Sequence, residues 1–412
     1  MKHSFHNGGR YAAAPFCLLL VLAPASRLPA QQPTPLRFAA WRDQGVRPFG
    51  AVSDLLDTFH EAHPDVHVNL NYEDWSFARV RLRYWFGSHR QYAPHLTILP
   101  DTWLPAYADQ LVPLDGVLRP KDTAGFVPAL LDRCRVKGRL VGLPWLVRSR
   151  ALYVRTDLLE TAKVKPPRTL AELQAAAIAL AKPPAVYGLG LPAAQGGGGL
   201  DTFLDLLDAH GGAPLDKDGK LQLQSKEAEA ALGYWLGLQQ AHALQPEGLT
   251  WTDDDLCDAF VAGHVAMLVA GPELGQRLRR AAPTLKFGVV PLPTDRAPDL
   301  PVSAEVLVAL SNAGEPEAVG RFMRYMATAE AQRAMTFMGG LPTYQSHLER
   351  VRDEEDVAPF VAGMERARGL PMLEIEPAQR IIERALWLCL SGRSTPAEAL
   401  KTASTEEAQR IF

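Results

Sequence analysis

The stretch DAFVAGHVAMLVAGPELGQRLRRAAPTLKFGVVPLP, residues 258–293, decides the fold of this chain. A helix that carries Phe260 is expected to end at Gly263, because a residue without a Cβ takes the left-handed conformation at little cost. Residues 265–270 form a short apolar run, which predicts a strand buried on both faces. Gly271-Pro272 ends that strand and opens another helix, and residues 286–290 read as the next strand. The stretch therefore predicts helices that alternate with buried strands.

The same alternation continues on both sides of this stretch. Residues 36–40, 66–71 and 96–99 read as strands, and residues 51–61 read as a helix with one apolar face. Residues 170–180 read as an alanine-rich helix that the preceding threonine can cap. No period of roughly 20–50 residues recurs, which excludes solenoids and propellers. The pattern predicts an α/β protein with largely parallel sheets.

Length and composition predict two hydrophobic cores and argue against nucleic acid as a partner. The 412 residues are 47% hydrophobic and 22% charged, with a formal net charge of −3. That is enough apolar material for two cores, whereas nucleic-acid binding depends on concentrated lysine and arginine. Cys134, Cys257 and Cys389 are widely spaced, so the fold cannot depend on a disulfide framework. We expect them to be small buried residues.

The N-terminal residues read as a secretory signal peptide. Basic residues precede an apolar run over residues 11–22, and the small-residue site Ala23-Pro24-Ala25 follows it. The run is shorter than the roughly 20 apolar residues that span a membrane. We expect a signal peptide over residues 1–25, with cleavage after Ala30 as the second choice. Cys17 stands in a poor lipobox, so we expect a periplasmic or extracellular protein without a lipid anchor.

Five motifs follow one another along this chain. They are LLDTFHEAHPDVHVNL, ADQLVPLD, GRLVGLPWLVRSRALYVRTDLLETAKVKPPRTLAEL, the stretch 258–293 and RFMRYMATAEAQRAMTFMGGLPT. Their order and spacing resemble those of the extracellular solute-binding proteins, family 1, which bind sugars for ABC importers. The resemblance covers about nine-tenths of the chain, from Leu36 onward.

The resemblance implies a periplasmic-binding-protein-like fold of two α/β lobes joined by two or three hinge crossings. The crossings would lie near residues 144–150, 293–302 and 339–344. Lobe one would comprise residues 36–145 and 300–340, and lobe two residues 146–299 and 341–412. A small-molecule solute between the lobes would close them and pass to the permease subunits in the membrane. The resemblance also implies a monomer that catalyses no reaction and needs no cofactor.

The residues that follow the predicted strands and crossings are candidates for the solute site. Ligands of open α/β sheets bind beyond the carboxyl ends of strands, and sugars need aromatic platforms beside planar donors and acceptors. The candidates are Trp41, Arg42 and Asp43 after the first strand, Asp101 and Trp103 after the third, Trp145 and Arg148 at the first crossing, Glu273 after the Gly-Pro turn, Glu305 after the second crossing and Tyr344 after the third. Trp41 and Trp145 can instead pack within a lobe, and Asp101 can instead cap a helix.

The charge of the solute stays open at this point. Glu273 replaces the tryptophan that commonly follows the Gly-Pro turn in the family. The resemblance therefore implies that this lobe makes more polar contacts with the solute. If Arg42 and Arg148 lie nearby, the solute can carry a negative charge. If these arginines instead neutralise the acidic candidates, the site suits a neutral sugar.

Three classes of function compete on these features. The first is a receptor for a sugar or small oligosaccharide in an ABC importer, with a sugar phosphate, glycerol phosphodiester or uronate as the alternative solute. The second is a ligand-sensing receptor component with the same fold. The third is an exported glycan-active enzyme, which needs two carboxylates roughly 5–9 Å apart across a cleft, such as Asp101 and Glu273. No metal site is expected, because His60 and His63 are three residues apart rather than four.

Overall fold

The computed structural model describes residues 32–42, 49–74, 77–87, 89–194, 199–216, 220–246, 250–294, 303–311, 314–335, 340–366 and 375–410. The strands are β1 (Thr34–Arg42), β2 (Val66–Asp74), β3 (Leu96–Pro100), β4 (Arg135–Val136), β5 (Arg139–Leu140), β6 (Leu143–Arg148), β7 (Ala151–Arg155), β8 (Met267–Ala270), β9 (Phe287–Val290) and β10 (Ser303–Ala309). The helices are α1 (Phe49–Ala62), α2 (Ala78–Phe86), α3 (Leu104–Tyr107), α4 (Pro120–Thr123), α5 (Pro128–Arg133), α6 (Thr156–Ala162), α7 (Leu170–Leu180), α8 (Gly199–Ala209), α9 (Lys226–Gln240), α10 (Asp253–Val261), α11 (Glu273–Ala281), α12 (Pro316–Met326), α13 (Ala329–Met335), α14 (Gln345–Val351), α15 (Ala358–Arg366), α16 (Ile375–Leu390) and α17 (Pro396–Arg410).

A five-stranded sheet forms the centre of the first lobe, in the order β2-β1-β3-β10-β6. Strand β1 is parallel to β2 and β3, whereas β10 is antiparallel to β3 and β6. The register pairs Glu305 with Pro100 and Ser303 with Arg148. The carboxyl ends of β1, β2, β3 and β6 therefore lie at one edge of the sheet, together with the amino end of β10.

A three-stranded sheet forms the centre of the second lobe, in the order β8-β7-β9. Strand β7 is antiparallel to both neighbours, with Ala151 opposite Ala270 and Leu152 opposite Val290. The amino end of β7 and the carboxyl ends of β8 and β9 therefore share one edge.

The prediction of largely parallel sheets holds among β1, β2 and β3 and is wrong elsewhere. Strands β7 and β10 each follow a strand of the other lobe, β6 and β9 respectively. Each enters its sheet at the edge where the neighbouring strands end, so it runs back against them. The local alternation of helix and strand carries no information on this reversal.

The buried apolar side chains form separate clusters in the two lobes. Members of the first cluster lie within residues 36–146 and 306–331, and Phe38 meets the ring of Trp145 edge-on at a centroid distance of 5.6 Å. Members of the second lie within residues 152–292 and 378–403. A third cluster includes Leu130 and Val147 together with residues of the second lobe. The division of the chain into lobes at single residues stays a prediction.

Hydrogen bonds hold the crossing segments against the lobes. The Ser149 hydroxyl, between β6 and β7, donates to the Phe360 carbonyl at 3.2 Å. In the later crossing, the backbone N–H of Leu341 donates to the Val147 carbonyl at 3.2 Å. Thr343 donates from its hydroxyl to the buried Gln332 side chain at 2.6 Å. The segments at residues 147–149 and 341–343 are therefore integral parts of the packing and not loose linkers.

Two further expectations concern cysteines and the membrane. Cys134 and Cys389 are buried free thiols, as predicted, whereas Cys257 is a half-buried free thiol. Within the ranges that the structure describes, no helix has both the length and the apolar character needed to cross a bilayer.

Candidate functional site

The edges of the two central sheets meet at residues 148–150, which join β6 to β7. On the side of the first lobe are the ends of β1 and β3 and the start of β10. On the side of the second lobe is the turn that follows β8 at Ala270. We call this junction, with its crossing and the two sheet edges, the interlobe site.

The candidates after β1 lie at the interlobe site. Trp41 is half-buried, its indole N–H donates to the Ile98 carbonyl at 2.6 Å, and its ring lies 5.7 Å from that of Trp85. Arg42 is the last residue of β1, and the structure describes its backbone but not its side chain. Asp43 lies outside the described residues. Trp41 thus packs against the core at the sheet edge and stays partly exposed.

Asp101 follows β3 and is engaged inside the first lobe. Asp101 is buried, and its carboxylate accepts a hydrogen bond from Arg133 Nε at 2.5 Å. The other oxygen accepts the backbone N–H of Ala304 at 3.3 Å. Burial raises the pKa of Asp101, and the charge and hydrogen bond of Arg133 oppose that rise. Both oxygens therefore tie the end of β3 to α5 and β10.

Trp103 and Trp145 lie in the core of the first lobe, whereas Arg148 lies at the first crossing. Trp103 and Trp145 are 4% and 1% exposed, and both belong to the core of the first lobe. The structure thus gives both rings the packing role. Arg148 is placed at the interlobe site by its pairing with Ser303, but its side chain lies outside the description.

The candidates after the second and third crossings lie in different surroundings. Glu305 is half-buried in β10 beside Pro100, at an irregularity in the pairing with β6. Tyr344 lies over Gly125, where a Cβ would come within 1.8 Å of its ring, and meets Phe126 edge-on at 5.3 Å. Glu305 is therefore at the interlobe site, and Tyr344 packs against the first lobe.

The Gly-Pro turn brings Glu273 to the rim of the second lobe. Glu273 is the exposed first residue of α11. A Cβ on Gly271 would lie 2.3 Å from the Glu273 carboxylate, so glycine is needed for that carboxylate to fold back over the turn. The buried hydroxyl of Tyr153 donates to the Gly271 carbonyl at 2.9 Å and accepts the Gly275 N–H at 3.0 Å. Tyr153 thus fixes both ends of the turn that presents Glu273.

Replacing Tyr153 by phenylalanine is expected to lower the free energy of unfolding by about 1–2 kcal/mol, because the buried turn loses both hydrogen bonds. Amide exchange at Gly275 should become faster, since its N–H loses its acceptor. Urea denaturation and hydrogen exchange measure the two effects. The matched control is Tyr325→Phe, which removes a hydroxyl that donates to the Leu55 carbonyl at 3.2 Å in the first lobe. Equal exchange at Gly275 in both variants would contradict the bridging role.

Arg150, at the end of the first crossing, is a site residue that sequence reasoning missed. Its side chain is 20% exposed, and Nη2 donates to the Thr202 hydroxyl at 3.0 Å. Nη1 lies 3.3 Å from Oδ2 of Asp205, whose side chain is 12% exposed. The guanidinium therefore links the crossing to α8 of the second lobe.

Four carboxylates act on this guanidinium. Burial lowers the pKa of Arg150, but Asp205, Asp253, Asp201 and Glu273 together raise it above the ordinary value. Asp201, Asp253 and Glu273 stand in the first turns of α8, α10 and α11. Burial raises the pKa of Asp205 to about 6, and the Arg150 charge opposes that rise. The second lobe thus places acidic side chains around one half-buried arginine at the interlobe site.

The sequence alone predicts only part of the cluster formed by Arg150 and its four carboxylates. An arginine directly after a predicted crossing and acidic residues in helix first turns are both visible in the sequence. Their meeting depends on how α8, α10 and α11 pack in the second lobe, which only the tertiary fold determines. Among the residues that the structure describes, no group of three or more His, Cys, Asp or Glu side chains is arranged to hold a metal ion.

Comparison with known proteins gives consistent matches. The sequence model of the bacterial extracellular solute-binding proteins matches residues 45–333. A Brucella abortus (strain 2308) protein named as a binding protein is 25% identical over 370 residues, which cover 86% of this chain and 88% of that protein. An ABC transporter solute-binding protein of Thermotoga lettingae, bound with alpha-D-tagatose, matches with a TM-score of 0.78 at 21% identity, covering 92% of this chain and 100% of that one. Maltose-bound MalE3 of T. maritima matches with a TM-score of 0.78 at 22% identity, covering 91% and 99%. These two structures share the fold of this chain.

Proposed function

Because this chain belongs to the bacterial extracellular solute-binding protein family, we propose that it binds a sugar or small oligosaccharide at the interlobe site for an ABC importer. The observation that carries the proposal is the meeting of the two sheet edges at residues 148–150, with Glu305 in β10 on the side of the first lobe and the pair of Arg150 and Asp205 on the side of the second. The relatives bound to tagatose and maltose support a carbohydrate as the solute.

Binding would act by shifting the population of open and closed forms. A solute that touches both sheet edges gains its full set of contacts only when the lobes are closed, so it stabilises the closed form by that difference. The closed outline would then be recognised by the membrane permease, which takes the solute. The chain would work as a monomer in the periplasm or outside the cell after removal of its signal peptide.

The charges at the interlobe site favour a neutral solute over an anionic one. Helix amino ends attract anions through their free N–H groups and dipoles. Here the first turns of α8, α10 and α11 already carry Asp201, Asp253 and Glu273. The positive charge of Arg150 faces Asp205 at 3.3 Å. A sugar phosphate or glycerol phosphodiester would meet net negative charge on this side, whereas sugar hydroxyls can donate to the carboxylates.

The structure gives less support to the other functions. A glycan-active enzyme that used Asp101 and Glu273 would need the Asp101 carboxylate, whose oxygens accept from Arg133 and Ala304. A sensing receptor would share the same solute site. It would be separated from an import receptor by uptake of labelled solute in cells that lack the chain.

Thermal unfolding of the chain from Ser26 onward, against a panel of carbohydrates, tests the proposal. The panel includes neutral mono- and oligosaccharides, polyols, uronates, amino sugars and sugar phosphates. A bound solute at a hundred times its Kd adds about 2.7 kcal/mol of stability, which raises the midpoint by about a few degrees. We expect this rise with a neutral sugar and a smaller radius of gyration in solution scattering as the lobes close.

A matched pair of variants locates the site. Glu273→Gln should weaken sugar affinity about tenfold, as expected for a lost hydrogen bond to a charged group. Glu317→Gln changes another exposed glutamate, in the first turn of α12, and should leave the affinity unchanged. If only sugar phosphates raise the thermal midpoint, the solute is anionic. If no member of the panel raises the midpoint, carbohydrate binding is refuted.

A further inference from the structure

The surface around α2 exposes apolar side chains that the fold does not use. Of the five large apolar side chains that are exposed in the described residues, four lie within residues 77–92. They are Phe77 at 57%, Val80 at 55%, Tyr84 at 38% and Tyr92 at 62% exposed. Phe77, Val80 and Tyr84 follow one another at i, i+3 and i+7, which places them on one stripe of the helix. Such a grouping on a surface marks an interaction site.

The opposite face of α2 is the one that packs against the core, so the exposed stripe is not needed for packing. Ala78, Leu82 and Trp85 are buried in the core of the first lobe. On the exposed side, the Tyr84 ring stacks on His89 at 4.2 Å and lies 6.3 Å from the ring of Tyr92. The aromatic rings therefore form a continuous strip that extends beyond the helix.

The same segment concentrates positive charge. Residues 77–95 contain four arginines and two histidines and no aspartate or glutamate, in a chain whose net charge is −3. Arg81 and Arg83 are exposed beside the aromatic strip. Arg81 lies 3.2 Å from Glu73, a pair that is open to solvent and hence weak. We define the α2 patch as Phe77, Val80, Arg81, Arg83, Tyr84 and Tyr92.

Aromatic rings mixed with arginines suit an anionic lipid surface better than a sugar. A sugar site needs acceptors for hydroxyl groups, and residues 77–95 contain no carboxylate. At a membrane interface, aromatic rings sit among the headgroups and arginines attract anionic lipids. We propose that the α2 patch binds the surface of a membrane that contains anionic phospholipids.

The position of the α2 patch indicates what its contact with the membrane would do, and this step rests on the proposed function. Phe77 comes three residues after β2 ends at Asp74, and β2 ends at the edge of the sheet that faces the interlobe site. Contact between the α2 patch and the bilayer would therefore hold the opening between the lobes close to the membrane. A receptor confined to that surface meets its permease by a search in two dimensions.

Cosedimentation with vesicles tests the proposal, using the chain from Ser26 onward. One set of vesicles contains phosphatidylcholine alone, and the other contains phosphatidylcholine with phosphatidylglycerol. We expect binding to the second set, weakened by added salt because the attraction is screened. Arg83→Gln should lower the partition coefficient about fivefold. Phe77→Ser should lower it about tenfold, because an inserted aromatic ring is lost.

Two matched variants keep the result interpretable. Arg139→Gln removes an exposed arginine outside the α2 patch, and Ile178→Ser removes an exposed apolar residue on α7. Neither should change vesicle binding, and all four variants should keep the thermal midpoint and the sugar-induced rise of the parent. Equal binding to both sets of vesicles, no binding to either, or equal losses in the control variants would overturn the proposal. Failure of the sugar panel with vesicle binding intact would instead count against the solute site alone.

Discussion

Replacing Asp101 by asparagine is expected to lower the free energy of unfolding by about 3–5 kcal/mol. The side chains of Asp101 and Arg133 are 5% and 15% exposed, and the substitution leaves the Arg133 guanidinium facing an uncharged amide. The amide also offers only one oxygen to replace the two that bind Arg133 and Ala304. Guanidinium denaturation near neutral pH measures the loss. Sugar affinity per folded molecule should change little, because the side chain is engaged within the first lobe.

The double variant Asp101→Leu with Arg133→Met is the control for this interpretation. Replacing both members of a buried ion pair by apolar side chains is often neutral or stabilising, because neither charge is then left without its counterpart. The double variant should therefore recover most of the stability that Asp101→Asn loses. If Asp101→Asn instead keeps its stability and loses sugar binding, the carboxylate is a solute ligand, as the position after β3 first suggested.

The helices and strands were predictable from local patterns. The predicted strands over residues 36–40, 66–71 and 96–99 lie within β1, β2 and β3, and the predicted helix over residues 170–180 coincides with α7. Gly263 adopts the left-handed conformation, with φ of 84°, just after α10 ends. These features depend on neighbouring residues, so a single sequence contains the information.

The partners of the site residues were not predictable in the same way. Trp145 lies at the predicted first crossing, but its side chain turns into the core against Phe38. Residue type and position are the same for an inward and an outward tryptophan. Asp101 and Arg133 are separated by 32 positions, and only the packing of α5 against the sheet brings them together. Sequence could therefore identify the edge of the sheet and not the direction of each side chain.

The pair of Arg150 and Asp205 leads to a pH-dependent prediction. Replacing Arg150 by methionine is expected to lower the free energy of unfolding by about 3 kcal/mol near pH 8, with a much smaller loss near pH 5. Burial raises the pKa of Asp205 to about 6 even with Arg150 present. A carboxyl whose pKa is raised on folding contributes stability at low pH, and this contribution is lost as the pH rises through the pKa of the folded state. Without Arg150 that pKa rises further, so the loss grows above about pH 6.

Denaturation curves at several pH values measure this dependence, and the double variant Arg150→Met with Asp205→Asn is the control. An asparagine cannot titrate, so the double variant should differ from the parent by an amount that no longer increases between about pH 5 and pH 8. Arg150→Met should also weaken sugar binding, because the crossing loses its hydrogen bond to Thr202 and its ion pair with α8. A loss of stability that is equal at both pH values in the single variant would show that Arg150 does not control the ionisation of Asp205. In that case Arg150 would stabilise the crossing through its hydrogen bond to Thr202 and its packing, and not through its charge.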